Sequence, residues 1–445
     1  MLCRSFIRKI SGRSIPIKDI LRTTDFSEKS PVTLNGWVVK SHKTGQFSFL
    51  HLNDGLSSEV VQVVVPKNVC SSVSMGSAIE VTGLWTKSSG NLQEAELSAS
   101  SCVVLSNDKD PRYATLSPDN LRKKIHLRPK SSEFAALLRL RSRLFMETHK
   151  FFMDKNFYHI DTPIFTANDC EGAGETFTVS AGTRESSFFG KDDVFLSVSG
   201  QLHLEAMCNG ISRVYSLNAG LRAEKQQSSA HLSEFRMLEV EQAFCDSLEE
   251  ICDLVEGYIK HSAQTMVTNP AFKVDRDAIS SFSSEDTVAL VKSLLGDGNY
   301  PRITYKEAVD LLIKNKKPVD GNGLSKKNEL YLVEYFRSPV FITHFPTNQK
   351  PFYMKRSADG LTTESFDLLC PLVGEVAGGS VRESSPEELK LRGVDISWYT
   401  ELRHRGKPIS SGFGVGFDRL LQVVLGVPNI KDTIAFPRWF KHCQC

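Results

Sequence analysis

The chain has 445 residues, 40% hydrophobic and 24% charged, with 54 Lys and Arg against 52 Asp and Glu. That length suits about two or three domains and the balance suits a water-soluble globular protein, which excludes disordered, collagenous and membrane-spanning classes. No run approaches the ~18 to 20 apolar residues of a bilayer span, and a net charge of +2 means that a nucleic-acid partner would have to be met by local basic patches.

The first eighteen residues carry Arg4, Arg8, Lys9, Arg13 and Lys18 among serines, with no acid before Asp19. This is the composition of a mitochondrial presequence, so residues 1–30 read as a basic leader and the mitochondrial matrix as the destination. An ordinary basic tail is the alternative. The ten cysteines form no C-x-x-C pair, which argues for reduced, buried thiols and against a zinc knuckle.

From 31 to 105, five short apolar-alternating runs are separated by turn formers such as Asn53-Asp54-Gly55. They predict a small closed β-barrel of OB type. Residues 106–131 are charged, with three prolines, and read as a linker. A helix is expected from Ser132 to Lys155, where Leu137, Leu144 and Phe151 fall seven apart, followed by an edge strand near Pro163. Strand-like runs at 194–198, 214–217, 235–244, 340–345, 352–355 and 366–369 lack βαβ alternation and predict an antiparallel sheet with helices, an α+β domain spanning 132–445. Residues 248–335 read as a helical insertion.

No G-x-x-x-x-G-K-[ST] is present, so a phosphate ligand would need another source of positive charge. Three segments supply candidates: the Pro163 unit; Leu221-Arg222-Ala223-Glu224 leading to the run Glu234–Glu241; and Gly412-Phe413-Gly414-Val415-Gly416-Phe417-Asp418-Arg419. In this order they resemble motifs 1, 2 and 3 of the class II aminoacyl-tRNA synthetases. The resemblance runs on through His126–Pro129, Glu171–Glu175, Ser199–Leu202, Phe366–Leu369 and Gly374–Arg382, and with the N-terminal barrel it points to the aspartyl, asparaginyl and lysyl subclass.

The resemblance implies ATP and Mg2+ as the cofactors of an amino acid:tRNA ligase. It implies Arg222 on the α-phosphate, Arg419 on the γ-phosphate and adenine between Phe235 and the Arg419 plane, with Glu224, His231 and Gly416 completing the nucleotide set. Asp367 and Glu375 would carry the magnesium. Glu171 would hold the α-ammonium, Ser199 and Gln201 would line the pocket, and Arg382 would reach the side-chain oxygen. In the barrel, Phe49 would stack an anticodon base and Gln62 would bond the shared uridine, with plain barrel core as the alternative for Phe49.

The segment Gln201-Leu202-His203-Leu204-Glu205 has leucine and glutamate where aspartyl enzymes typically carry lysine and glutamine. Losing a cation and gaining an anion suits a neutral amide, whose NH2 could donate to Glu205 while its oxygen accepts from Arg382. Asparagine and tRNA(Asn) are therefore the expected partners, in a homodimer held by the Leu137/Leu144/Phe151 face. An aspartyl or dual-specificity enzyme and a non-catalytic RNA-binding relative are the rivals. Ala230, Val381 and Ser410-Ser411 depart from the usual family residues.

Overall fold

Residues 14–27, 30–70, 73–90, 93–111, 116–168, 176–180, 188–190, 193–280, 287–296, 298–319 and 323–444 are described by a computed structural model. The chain divides into two compact units, one reaching Arg139 and including Ala271–Ser281, the other comprising the rest.

In the first unit, β1 (Val32–Thr44), β2 (Phe47–Asn53), β3 (Val61–Pro66), β4 (Ala78–Lys87) and β5 (Ala95–Ser106) close into a barrel in the order β1-β2-β3-β5-β4. Alternation drives the closure. Leu50, Leu52, Val61, Val63, Val65, Ile79, Val81 and Leu97 all face the core, while the residues between them face out. Phe49 lies between buried Ser48 and Leu50 and is therefore on the outer face, not in the core.

Two expectations for this unit are corrected. Ile17 and Ile20, on a short helix Ile17–Ile20, are buried in the barrel core, and Ile15 N–H donates to Thr33 O at 3.0 Å. The Trp85 indole donates to Thr23 O at 3.1 Å. The segment from Ile15 onward is thus part of the barrel's packing, and a leader cannot extend to residue 30; residues 1–13 lie outside the described part. The expected linker also holds structure. It contains a helix Pro118–Arg122 and a 3-10 turn Ile125–Lys130, in which buried Arg128 lies 3.7 Å over the Phe134 ring.

The second unit is built on an eight-stranded sheet. Its strands are β6 (Tyr158–His159), β9 (Arg213–Leu221), β10 (Glu234–Ala243), β11 (Arg302–Thr304), β12 (Val340–Thr343), β13 (Ser365–Cys370), β14 (Gly374–Val381) and β15 (Ser410–Gly416), in the order β11-β12-β13-β14-β15-β10-β9-β6. A small pair, β7 (Phe165–Thr166) and β8 (Phe195–Leu196), stands apart from it. The sheet is antiparallel except at its two ends, where β11 joins β12 and β6 joins β9 in parallel. The run 352–355 forms no sheet strand and contributes only a bridge from Met354 to Arg382.

Helices cover the sheet. Helix Leu248–Thr268 begins at an Ser247 cap and buries Ile251, Val255, Tyr258 and Ile259. The stretch read as a helical insertion is largely helical, but it also supplies edge strand β11. Helix Phe417–Leu425 opens at the end of β15. Its first turn is held by Asp418, which accepts from Arg236 N–H at 2.8 Å and pairs with Arg141. Helix Ser132–Asp154 matches the predicted span. Its stripe does not remain open for a partner, however: Leu137, Leu144 and Phe151 are buried within the chain itself. Among the described residues no helix is long and apolar enough to cross a membrane.

Candidate active site

The strand period places the site. Along β10, Phe235, Met237, Glu239 and Glu241 point to one face, opposite Gly220 on one side and Gly416, Gly414 and Gly412 on the other. The spaced glycines of the 412–416 segment are every second residue of β15, so they leave the floor of this face clear. At Gly412 the need is steric: a Cβ would lie 2.0 Å from Glu241 Oε2, 2.3 Å from Val240 O and 2.5 Å from Arg382 Nη2. Above this floor lies a cavity of about 330 Å³.

At one end of the cavity stand Arg222, Glu224, His231 and Phe235. Arg222 follows β9 and lies 5.5 Å over the Phe235 ring, and Glu224 sits between it and His231, 3.9 and 4.0 Å away. His231 shares a hydrogen bond with the Ser228 hydroxyl at 2.5 Å. Arg419, from the first turn of the Phe417 helix, donates to Glu375 O at 2.9 Å and also lines the cavity, as does Gly416. All six nucleotide-binding candidates are therefore brought together. The cation that lies over the Phe235 ring is Arg222.

Asp367 and Glu375 meet through a β-bulge. Asp367 pairs with Gly378 and Leu368 with Ala377, but Leu369 pairs with Glu375, so Val376 is an extra residue. Without it Glu375 would face away from Asp367; with it both carboxylates lie on the cavity face. A Cβ at Gly378 would stand 3.2 Å from Asp367 Oδ1 and 3.6 Å from Glu375 Oε1, so a glycine keeps the space between them open. Burial pushes the Asp367 carboxyl up to about 6, against the pull of Lys350 Nζ at 2.6 Å and with Glu375 adding to the rise. Burial, and then Glu375, push Glu329 up to about 7, and its Oε2 accepts from Glu375 N–H at 3.2 Å. Among the described residues no three His, Cys, Asp or Glu form a complete metal cage. Two crowded carboxylates around an open gap nevertheless fit Mg2+, which takes one or two protein carboxylates and completes its shell with phosphate and water.

At the other end Arg382 is fully buried. Its Nε and Nη2 donate to Glu241 Oε2 at 3.1 and 3.0 Å, and its Nη1 donates to Ser380 Oγ at 2.7 Å. Burial works against its charge, but Glu241 and then Glu205 hold its pKa above the usual arginine value. Gln201 Nε2 donates to the same Glu241 oxygen at 2.8 Å. Ser199 Oγ donates to Glu239 Oε1 at 2.5 Å, and Gly200 N–H reaches both Glu239 oxygens at 3.0 Å. Burial raises the Glu239 carboxyl pKa, the hydrogen bonds from Ser199, Gly200 and Ser216 opposing it.

Glu205, expected in the amino-acid pocket, lies away from it. It does not line the cavity; its Oε1 accepts from Tyr399 OH at 2.6 Å and its Oε2 from Arg403 Nη2 at 2.9 Å, with Lys407 at 3.5 Å. At this end of the cavity the lining carboxylate is Glu239, while Glu241 stands behind Arg382 and Gln201 and holds both; sequence reasoning singled out neither. Glu171 lies outside the described residues. In the barrel, Phe49 and Gln62 share the outer face through neighbouring pairs, Phe49 with Val64 and His51 with Gln62. Gln62 Nε2 donates to Glu96 Oε2 at 2.9 Å, an oxygen that also accepts from Ser88 and Gln93.

A mainly antiparallel sheet with its arginines, carboxylates and glycines so arranged defines a class II synthetase catalytic domain. Residues 117–440 match the family of tRNA synthetases class II (D, K and N), and the chain belongs to that family. An asparagine--tRNA ligase of Desulfotalea psychrophila is 36% identical over 436 residues, covering 93% of this chain and 96% of that one. The human asparaginyl-tRNA synthetase is 36% identical over 453 residues, covering 96% and 94%. The crystal structure of asparaginyl-tRNA synthetase from Pyrococcus horikoshii complexed with asparaginyl-adenylate superposes with a TM-score of 0.85 at 27% identity, covering 96% of this chain and 99% of that one.

Proposed function

We propose that this chain joins asparagine to tRNA(Asn) through an asparaginyl-adenylate. The observation that carries the reading is that Arg382 and Gln201, both held by the buried Glu241, line the same cavity as Arg222, Arg419 and the Asp367–Glu375 pair. Arg382 already has a carboxylate partner. A neutral amide can accept from it without displacing Glu241, whereas an aspartate carboxylate would compete with Glu241 for the same guanidinium.

Activation needs no general base, because the α-carboxylate of the amino acid is ionised when it attacks the α-phosphorus of ATP. The chain's task is to position the two substrates and balance charge. Arg222 would hold the α-phosphate and Arg419 the γ-phosphate, with Glu224 orienting Arg222 and His231 beside it. Phe235 would stack the adenine. Mg2+, held by Asp367 and Glu375, would supply charge neutralisation on the polyphosphate. Ser199 and Gly200, fixed on Glu239, would shape the amino-acid end. Phe49 and Gln62 on the outer barrel face would meet the anticodon, where stacking on an aromatic contributes about 1 to 3 kcal/mol per base.

Two further parts of the reading concern assembly and place. A homodimer is supported by exposed apolar side chains that the chain leaves uncovered around the second half of helix Ser132–Asp154 and beyond it: Met146, Met153, Tyr158, Ile164 and Phe165. Mitochondrial import is supported by Arg4, Arg8, Lys9 and Arg13 with no acid among them. ATP–pyrophosphate exchange with asparagine, aspartate and lysine in turn, followed by charging of tRNA(Asn), tests the activity. Exchange that is faster with aspartate would overturn it.

A further inference from the structure

Beneath the Arg382–Glu241 pair lies a second buried charge group that touches no part of the cavity. Glu205 accepts from Tyr399 OH and Arg403, and Lys407 Nζ stands 3.5 Å from the same carboxylate. Arg382, Arg403 and Lys407 thus share the interior with Glu205 and Glu241, and none of the five side chains is more than 2% exposed. Three cations against two carboxylates leave one buried positive charge in excess.

The cations of the lower layer are fixed. Arg403 donates from Nε and Nη2 to Glu383 O at 3.2 and 2.9 Å and from Nη1 to Tyr399 O at 3.0 Å. Lys407 donates to Ser410 Oγ at 2.8 Å, and Ser410 O in turn accepts from Arg382 N–H at 2.8 Å. Gln201 and Glu205 stand one turn apart on helix Gln201–Cys208, so the helix joins the two layers: Gln201 on Glu241 above, Glu205 on Arg403 below.

We propose that Glu205 is a positioning residue for amino-acid selection, holding the charge balance under Arg382 so that Arg382 stays on Glu241 and faces a neutral amide. Because Arg403 and Lys407 are tied to backbone carbonyls and to Ser410, loss of the Glu205 charge leaves their repulsion to act on Arg382, the cation whose place in the cavity matters. Low polarity around the group makes that repulsion long-ranged. This inference rests on the asparagine reading above and deepens it.

The test uses the full chain in pyrophosphate exchange. Glu205→Gln should raise KM for asparagine about tenfold, the scale of coupling inside one buried network, while KM for ATP stays within about twofold. Adding Lys407→Met returns the excess charge to its original value and should bring KM for asparagine back toward wild type. Lys407→Met alone leaves Arg403 on Glu205 and should widen the preference for asparagine over aspartate, a result that serves where Glu205→Gln does not fold. An unchanged KM for asparagine in Glu205→Gln, a double variant no better than the single one, joint loss of asparagine and ATP binding, or an unchanged preference in Lys407→Met would each overturn the proposal. Wild type that exchanges with no asparagine at all would instead sink the functional reading; wild-type exchange with unaltered variants sinks only this inference.

Discussion

Arg382 places two of its nitrogens, Nε and Nη2, on one oxygen of Glu241, at 3.1 and 3.0 Å. The two residues come from β14's end and β10, and Gly412 of the intervening strand β15 is what lets them meet. A methyl group at 412 would fall 2.0 Å from the carboxylate and 2.3 Å from the Val240 carbonyl, and the latter is backbone that cannot turn aside. Gly412→Ala should therefore cost about 1 to 3 kcal/mol of stability by overpacking and reduce asparagine activation more than ATP binding. Thermal denaturation and the two KM values check this; a variant with unaltered KM for asparagine would mean that the pair tolerates displacement.

Arg222 and Arg419 approach the cavity from different elements, the end of β9 and the first turn of the Phe417 helix. Their contributions to adenylate formation should be separable. Removing a positioned charge at a developing anion costs on the order of 10² to 10³ in rate, so Arg222→Ala and Arg419→Ala should each lose that much pyrophosphate exchange with no change in melting temperature beyond a few degrees. Exchange within a few-fold of wild type in either variant would remove that arginine from the polyphosphate site.

The site was only partly legible in the sequence, and the misses have physical causes. Glu205 stands four residues after Gln201, so both share a helix face, but four residues are about 6 Å of rise. The sequence gives the face and not the depth, and that distance takes Glu205 out of the cavity. Glu239 and Glu241 were readable in principle, since acids flanked by Leu238 and Val240 in a strand that also holds Phe235 fall on the Phe235 side by period two. The Val376 bulge that turns Glu375 toward Asp367 leaves no local mark in the sequence. The seven-residue stripe of helix Ser132–Asp154 is amphipathic whichever surface covers it, so its burial inside the chain could not be told from burial in a dimer. In the barrel, by contrast, apolar runs and the turn formers between them marked all five strands, although in β2 the buried side chains are Ser48, Leu50 and Leu52 and not the phenylalanines.

The raised Asp367 carboxyl should make metal binding depend on pH. The Asp367 carboxyl is pushed up to about 6 and that of Glu329 to about 7, both above their ordinary carboxylate values, so each costs the fold nothing at low pH. The cost appears as pH rises through the unfolded values and is complete only above about 7. A divalent cation offsets it. Mg2+ at 100 times its Kd should stabilise the protein by about 2.7 kcal/mol at pH 8, and by much less at pH 5.5, where a proton competes for the Asp367 oxygens. Melting curves with and without MgCl2 at the two pH values measure this. Equal stabilisation at both, or stabilisation that survives Asp367→Asn, would place the cation elsewhere.

Gln62 makes the barrel's outer face testable apart from the cavity. Its amide nitrogen is held by Glu96, whose oxygen also takes Ser88 and Gln93, so the side chain is oriented before any ligand arrives. Pre-orientation lowers the entropy that a base contact would otherwise cost. Gln62→Ala should leave pyrophosphate exchange unaltered, because exchange needs no tRNA, and should reduce kcat/KM for tRNA(Asn) by an amount equivalent to about 1 to 3 kcal/mol, the value of one good base-edge contact. Glu96→Gln, which keeps the shape but weakens the hold on Gln62, should give a smaller loss in the same direction. Phe49→Ala belongs in the same series, since it lies on the same face and would remove stacking without touching the barrel core. Charging that is equal across wild type and all three variants would move the anticodon contact off this face.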